Sequence, residues 1–352
     1  MPVFPLLSDP TNYVACEWDL AADPAGLEYW IDHFGQHAAT LAPLIRDVYN
    51  PTKAKLADYL AEYLADLERV RTNPAAYGRV TILSLDRIRD DHLRRAGFDD
   101  PYRHIKQKEN SAALAIYPRL IAELDSRPAD VRLGELITGI FAGNIFDLGA
   151  MATIKQYHGG GMEFFATRAS LAPRPWLIDD FDEMLRHWSE SNWHYRKVVL
   201  LADNAGCDFV LGCLPLVREF AARRTAHVVI AVNSGPSLND ILPDEVAAVL
   251  SQASTVDPVL AQAIAAGRIS VVPTGNTAPL IDLAEVSPEL AAASSDADLL
   301  ILEGMGRAVE SNLFARFKAD SARMALIKDH GVANRLAGKL FDICCKFRPA
   351  GA

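Results

Sequence analysis

Cysteine is scarce in this chain of 352 residues, and the five present, Cys16, Cys207, Cys213, Cys344 and Cys345, form no Cys-x-x-Cys pair. An odd number without that spacing indicates neither a disulfide framework nor a structural zinc site, so the thiols are expected to be reduced and mostly core. No apolar run approaches the roughly 20 residues that a membrane span requires. The first ten residues, Met1 to Pro10, lack the basic start and unbroken apolar stretch of a secretory signal, and a cytoplasmic location is expected. Positive charge is in deficit. The 35 Lys and Arg against 45 Asp and Glu leave a net charge of −10 at pH 7, which argues against a nucleic-acid or anionic-membrane surface. Internal repeats and low-complexity tracts are also missing. What remains is half apolar and 23% charged, the composition of a soluble globular protein, with about two domains on the length prior.

The texture changes once along the chain. From about Leu27 to Leu148 the spacing is helical: Leu56, Leu60, Leu64 and Leu67, with Tyr59, Tyr63 and Val70, recur at three and four, and Asn50-Pro51 reads as a cap and first helical position. The same period runs through Leu133, Leu136, Ile137, Ile140 and Phe141 into Gly143-Asn144-Ile145-Phe146-Asp147, where a helix would put Asn144 and Asp147 on one face. His158-Gly159-Gly160-Gly161 and Pro173-Arg174-Pro175 mark turns or a hinge. After Lys197 short β-branched runs alternate with helical ones, at 197–202, 227–232, 269–273, 298–302, 323–327 and 342–347. That alternation predicts a three-layer α/β/α, doubly wound and mainly parallel sheet. The expected organisation is a mainly helical domain over 1–155, a linker over 156–195, and an α/β metal- and phosphate-binding domain over 196–352.

The chemistry gathers at strand ends. Val198-Val199-Leu200-Leu201-Ala202 ends in Asp203-Asn204-Ala205-Gly206; the next strand is followed by Asn233 and by Asn239-Asp240; a third ends in Glu303-Gly304-Met305-Gly306-Arg307. In open α/β sheets that edge binds ligands, and carboxylate and amide oxygens are what a small divalent cation prefers. Either acidic pair could instead cap the helix that follows it, since Asp and Asn are favoured N-caps. Recurrence at several strand ends favours a metal, because a cap needs one such residue and a cation needs several that converge. Glycines at 304 and 306 let backbone approach an anion, with Arg307 and the strand-end Lys328 able to hold phosphate oxygens. Val309 breaks the dinucleotide fingerprint that would need glycine there, and Ala205 breaks the Asp-x-Asp pair of a covalent aspartyl phosphatase. A metal-activated water attacking a phosphoryl group is the remaining reading.

Together, Leu201 to Gly206, Asn239-Asp240, Ala142 to Gly149, and Ser294 to Arg307 with Asn312 and Lys328 resemble the damage-control phosphatases, catalogued as domain of unknown function 89. The resemblance runs from about Asn12 to Phe347 and is strongest to the branch containing stand-alone plant proteins and the phosphatase domain of pantothenate-kinase-like fusions. It implies a divalent metal, Mn, Co, Ni or Mg, held by Asp203, Asn204 and Asp240, which would also be the catalytic residues. It implies a substrate pocket of Asn144, Asp147, Glu303, Gly304, Arg307 and Lys328. The implied activity is hydrolysis of a small phosphate monoester, 4′-phosphopantetheine or its damaged forms, with sugar phosphates of the fructose 1-phosphate kind as the alternative. A non-catalytic metabolite sensor and a carboxyl methyltransferase are the rival readings; the second needs a glycine-rich first turn that the sequence lacks.

Overall fold

The alternation after residue 197 is one seven-stranded sheet in a computed structural model that describes residues 1–145, 162–224 and 226–351. Its strands are β1 (Ile178–Asp179), β2 (Lys197–Leu201), β3 (His227–Val232), β4 (Ile269–Pro273), β5 (Leu299–Glu303), β6 (Asp320–Leu326) and β7 (Ile343–Arg348). They lie in the order β1-β7-β6-β5-β2-β3-β4, every neighbouring pair parallel except β6 with β7. All six expected strands are present. The two-residue β1 was not foreseen, being too short to leave a period of two in the sequence.

Residues alternate across the sheet, so each strand feeds both faces. Val199, Leu201, Val229, Ala231, Leu300 and Leu302 point into one core, which is closed by α1 (Pro24–Tyr49), α2 (Lys53–Thr72) and α3 (Ile82–Arg95). Val198, Leu200, Val228, Ile230, Leu299 and Ile301 point into the other, closed by α4 (Arg103–Asp125), α5 (Ala129–Ile145) and the helices that link the strands. The first hundred residues therefore cover one face of the sheet. Among the described residues no helix is long and apolar enough to cross a membrane.

Local chemistry sets the helix ends. Asn50 does not begin α2: it closes α1 in the left-handed conformation, φ 45° and ψ 50°, with its N–H on the Arg46 carbonyl. Asparagine tolerates that conformation and Pro51 cannot continue the helix. Thr52 then caps α2, its hydroxyl accepting from the Lys55 N–H at 3.2 Å. The buried stripe of α2 is Leu56, Tyr59, Tyr63, Leu67 and Val70, whereas Leu64 faces solvent.

After β2 the chain enters a helical run of three pieces, a π segment Asp208–Cys213, an α segment Leu214–Arg218 and a second π segment Glu219–Arg223. Asp203 and Asn204 lie before it and do not cap it; Cys207 precedes its first residue and gives no side-chain cap. Asp240 is likewise no cap, because the next helix, Pro243–Ser254, starts after Leu242, whose N–H is taken by the Glu245 carboxylate at 3.0 Å. Asp147 and the His158-Gly159-Gly160-Gly161 stretch lie outside the described residues.

Candidate active site

The connections out of β2 and β5 run in opposite directions, β2 onward to β3 and β4, β5 onward to β6. Between those two strands the sheet changes sense, and the crevice above their carboxyl ends is where ligands of doubly wound sheets sit. Here the two strand ends meet: the N–H of Asp203, two residues past β2, donates to Oε2 of Glu303, the last residue of β5, at 2.9 Å. One strand further out, the loop after β3 folds back, pairing Asn204 with Asp240. The Ala205 N–H reaches the Asn239 carbonyl at 2.9 Å, and the Ile241 N–H reaches the Asp203 carbonyl at 3.0 Å.

This backbone zipper puts the Asp203 and Asp240 carboxylates side by side. The Arg307 guanidinium spans them, Nη1 on Asp203 Oδ1 and Nη2 on Asp240 Oδ2 at 2.8 Å, and also donates to the Pro279 carbonyl at 3.1 Å. Arg307 is fully buried in this bridge. Asn233, at the end of β3, donates to Asp240 Oδ2 at 2.6 Å and to the Ala278 carbonyl at 2.8 Å. Asn204 uses Nδ2 on Asp203 Oδ2 at 2.8 Å and on Asp208 Oδ2 at 2.9 Å. Two carboxylates demand the amide's donor end, so its Oδ1 is the atom left to offer. Asn144, near the end of α5, donates to Asp208 Oδ2 at 2.9 Å and Glu303 Oε1 at 3.1 Å and accepts from the Leu326 N–H at 3.2 Å, which ties α5 to β6.

Gly304 is required where it stands. It has φ 92° and ψ 152°, a region open essentially to glycine, and a Cβ there would lie 2.6 Å from Asp203 Cβ and closer still to its carboxylate. Lys328 follows β6 and lines the same pocket as Asp203, Asn204 and Asp240, its N–H on Met305 Sδ at 3.2 Å.

Acidic groups outnumber cations here. Burial pushes the Asp203 carboxyl well above the usual range, against the pull of Arg307 and with the push of Asp240. Glu303 is raised for the same reason, with Asp208 and Asp203 repelling its charged form. Asp203, Asp208, Asp240 and Glu303 thus crowd four carboxyls around Arg307 and Lys328, an excess that a divalent cation would relieve. The oxygen set of Asp203, Asn204 and Asp240 fits a hard cation. Just behind it Asp208, Cys213 and Glu303, all buried, place ligand atoms within 4.8 Å of one another and could also hold a metal ion. That set has a weaker claim on a hard ion. Burial and the two acids push the Cys213 thiol up, and a soft sulfur ligand suits zinc or copper better than Mg²⁺ or Mn²⁺.

The cavity above these groups measures about 100 Å³. Its opposite wall comes from the first hundred residues: Trp30, His33, Phe34 and His37 of α1, and Ile82, Asp86 and Arg89 of α3. Arg89 is held by Asp86 at 2.7 Å, Asp90 at 2.8 Å and the Ser237 hydroxyl at 3.1 Å, and Ser237 donates to Asp90 at 2.6 Å, tying α3 to the loop that carries Asp240. His33 Nδ1 stands 3.6 Å from Asp329 Oδ2, which also accepts from the Tyr29 hydroxyl at 2.8 Å. Asn239, 2% exposed and part of the cavity lining, has both amide atoms without a hydrogen-bond partner among the described residues.

Of the residues singled out from the sequence, Asp203, Asn204, Asp240 and Lys328 line this cavity, while Asn144, Glu303, Gly304 and Arg307 form the layer directly beneath. The α1 and α3 wall was missed. One signal was legible: Asp86, Arg89 and Asp90 sit at helical spacing on the same stripe as Ile82 and Leu93, where a plain core helix would carry apolar residues.

Known proteins resemble this chain along nearly its whole length. The model of the damage-control phosphatase ARMT1-like domain matches residues 37–343. A damage-control phosphatase of Arabidopsis thaliana is 40% identical over 304 residues, 86% of this chain and 82% of that protein. Pantothenate kinase 2 of the same plant is 37% identical over 99% of this chain, and a 4′-phosphopantetheine phosphatase of Mus musculus is 30% identical over 97%. This chain spans 42% and 48% of the length of those two larger relatives. The fold matches the crystal structure of a DUF89 family protein from Pyrococcus horikoshii, with a TM-score of 0.62 at 17% identity, covering 90% of this chain and 96% of that one.

Proposed function

The chain belongs to the damage-control phosphatase ARMT1-like family, and from that premise we propose that it is a metal-dependent phosphomonoesterase acting on 4′-phosphopantetheine or its damaged forms. The observation that carries the reading is the convergence of Asp203, Asn204 and Asp240 from two adjacent strand ends, beside Lys328, in one cavity. A divalent ion there would supply Lewis acidity. Asp203, Asn204 and Asp240 would hold it, while Arg307, spanning both carboxylates, fixes their separation. Lys328 binds the outer phosphate oxygens and counters the charge that grows on them in the transition state. The unpartnered amide of Asn239 offers a further donor to the same oxygens.

The alcohol half of the substrate meets the rest of the cavity lining, where Trp30, Phe34 and Ile82 of the opposite wall and Leu238, Leu280 and Met305 beside the floor present apolar surface among the polar His33, His37, Asp86 and Arg89. Such a lining, apolar patches beside a few polar groups, suits an arm that bears both methyl groups and amides. The name of the mouse relative, a 4′-phosphopantetheine phosphatase, supports the same choice. The test is phosphate release from 4′-phosphopantetheine and from fructose 1-phosphate with Mn²⁺, Co²⁺, Ni²⁺ or Mg²⁺, and with chelator. Metal-dependent release that favours the first ester is expected. No metal-dependent release from a broad ester panel would overturn the reading in favour of a sensor.

A further inference from the structure

A second, larger cavity of about 210 Å³ adjoins the first. Ile82 and Glu310 line both. Its walls are the N-terminal segment, with Leu7, Tyr13, Val14 and Trp18, and the segment after the π helix Met305–Glu310, with Leu313 and Phe314. The polar groups within this lining are anchored to the fold. The Tyr13 hydroxyl donates to Asn312 Oδ1 at 2.8 Å and accepts from the Leu283 N–H at 3.1 Å, and the Arg335 guanidinium lies 5.0 Å over the Trp18 ring.

Two features of this cavity lack an account in packing alone. Val14 is 46% and Phe314 58% exposed, and these two large apolar side chains both stand in its lining. Apolar groups left open beside a formed hollow mark a ligand site more often than a flaw in packing. The second feature is Glu310, between the cavities. Burial, with repulsion from Asp329, Asp86 and Asp203, pushes its carboxyl well above the usual range. Its carboxyl oxygens stand where they can accept a hydrogen bond from the N–H of an amide passing between the two cavities.

We infer that the second cavity is the subsite for the distal part of the leaving group: an extended, acyclic, amide-containing arm runs from the phosphate at Lys328, past Ile82 and Glu310, and ends among Tyr13, Val14, Trp18 and Phe314. The inference rests on the proposed phosphatase reading for the near end of the substrate. It adds that length and apolar character of the alcohol, read in a cavity beside the phosphate site, set which ester is preferred. A short ester would fill only the first cavity.

The test fills or trims the far cavity at its exposed rim, where folding is least at risk. Val14→Trp and Phe314→Ala are each assayed on 4′-phosphopantetheine and on p-nitrophenyl phosphate, with a melting curve for each protein. The ratio of the two KM values, long ester over short, should rise by about tenfold in Val14→Trp and less in Phe314→Ala. A ratio unchanged in both variants overturns the subsite. Calorimetry with pantetheine, the dephosphorylated alcohol, decides without turnover. A wild-type protein that hydrolyses neither ester but binds pantetheine more tightly than Val14→Trp refutes the phosphatase reading and keeps the subsite. Absence of both turnover and pantetheine binding refutes the two together.

Discussion

Gly304→Ala offers a sharp test of the site, because its effect on chemistry and its effect on folding should part company. At φ 92° and ψ 152° an alanine costs roughly 1–3 kcal/mol of backbone strain. Its methyl would also stand 2.6 Å from Asp203 Cβ, whereas ordinary carbon contacts begin nearer about 3.5 Å, so the Asp203 side chain must retreat by about 1 Å. A displacement of that size at a reacting centre costs on the order of 100-fold in rate. The assay is steady-state phosphate release at saturating divalent cation, beside a circular-dichroism melt. Gly267→Ala is the control: Gly267 has φ 68° with no heavy atom within 4 Å of its would-be methyl, so it suffers similar strain with nothing to push. Both variants should lose a few degrees of melting temperature, and only Gly304→Ala should lose turnover. Wild-type turnover in Gly304→Ala, or an equal loss in Gly267→Ala, would refute the role given to Asp203.

Lys328→Ala should leave the melting curve within a few degrees of wild type while lowering kcat/KM at least tenfold, the loss expected when one charged contact to a phosphate goes; unchanged kinetics would remove Lys328 from phosphate binding. His37 gives a pH prediction. Burial, with repulsion from Arg89 and His33, depresses its pKa from 6.5 to about 3, and it shares a hydrogen bond with the Tyr102 hydroxyl at 3.0 Å. The unfolded chain binds the proton more readily, so this contribution to stability is present above pH 6.5 and is lost as pH falls towards 3. Denaturant titrations should show about 2 kcal/mol lost between pH 6.5 and about pH 4.5, a loss that His37→Gln reduces. An identical pH slope in the variant would sink the assignment.

The sheet was readable because β2, β3 and β5 are buried on both faces and so appear as unbroken apolar runs. Asp203 and Asn204 were readable because they stand just after β2, and Lys328 because it stands just after β6, where strand ends fix where a side chain starts; Asp240 was readable from its acidic-amide pair in the loop after β3. Other features depended on distance in space. Nothing in Trp30, His33 or Phe34 distinguishes them from a core stripe, and only the packing of α1 across the sheet edge brings them to the cavity. The sequence also could not show that Arg307 spans two carboxylates, since Asp203 and Asp240 become neighbours only through the fold-back of the loop after β3. Asn50 misled for a local reason: asparagine serves at either end of a helix, and the sign of its φ tells which.

The floor and the wall of the cavity come from stretches of chain about two hundred residues apart, joined by the contact of α3 with Ser237 and of Tyr29 with Asp329. Substitutions in α1 and α3 that spare Tyr29, Arg89 and Asp90 can therefore reshape the wall while the backbone pairing of Asn204 with Asp240 stays as it is. The pocket that meets an ester and the strand ends beneath it can be altered one at a time.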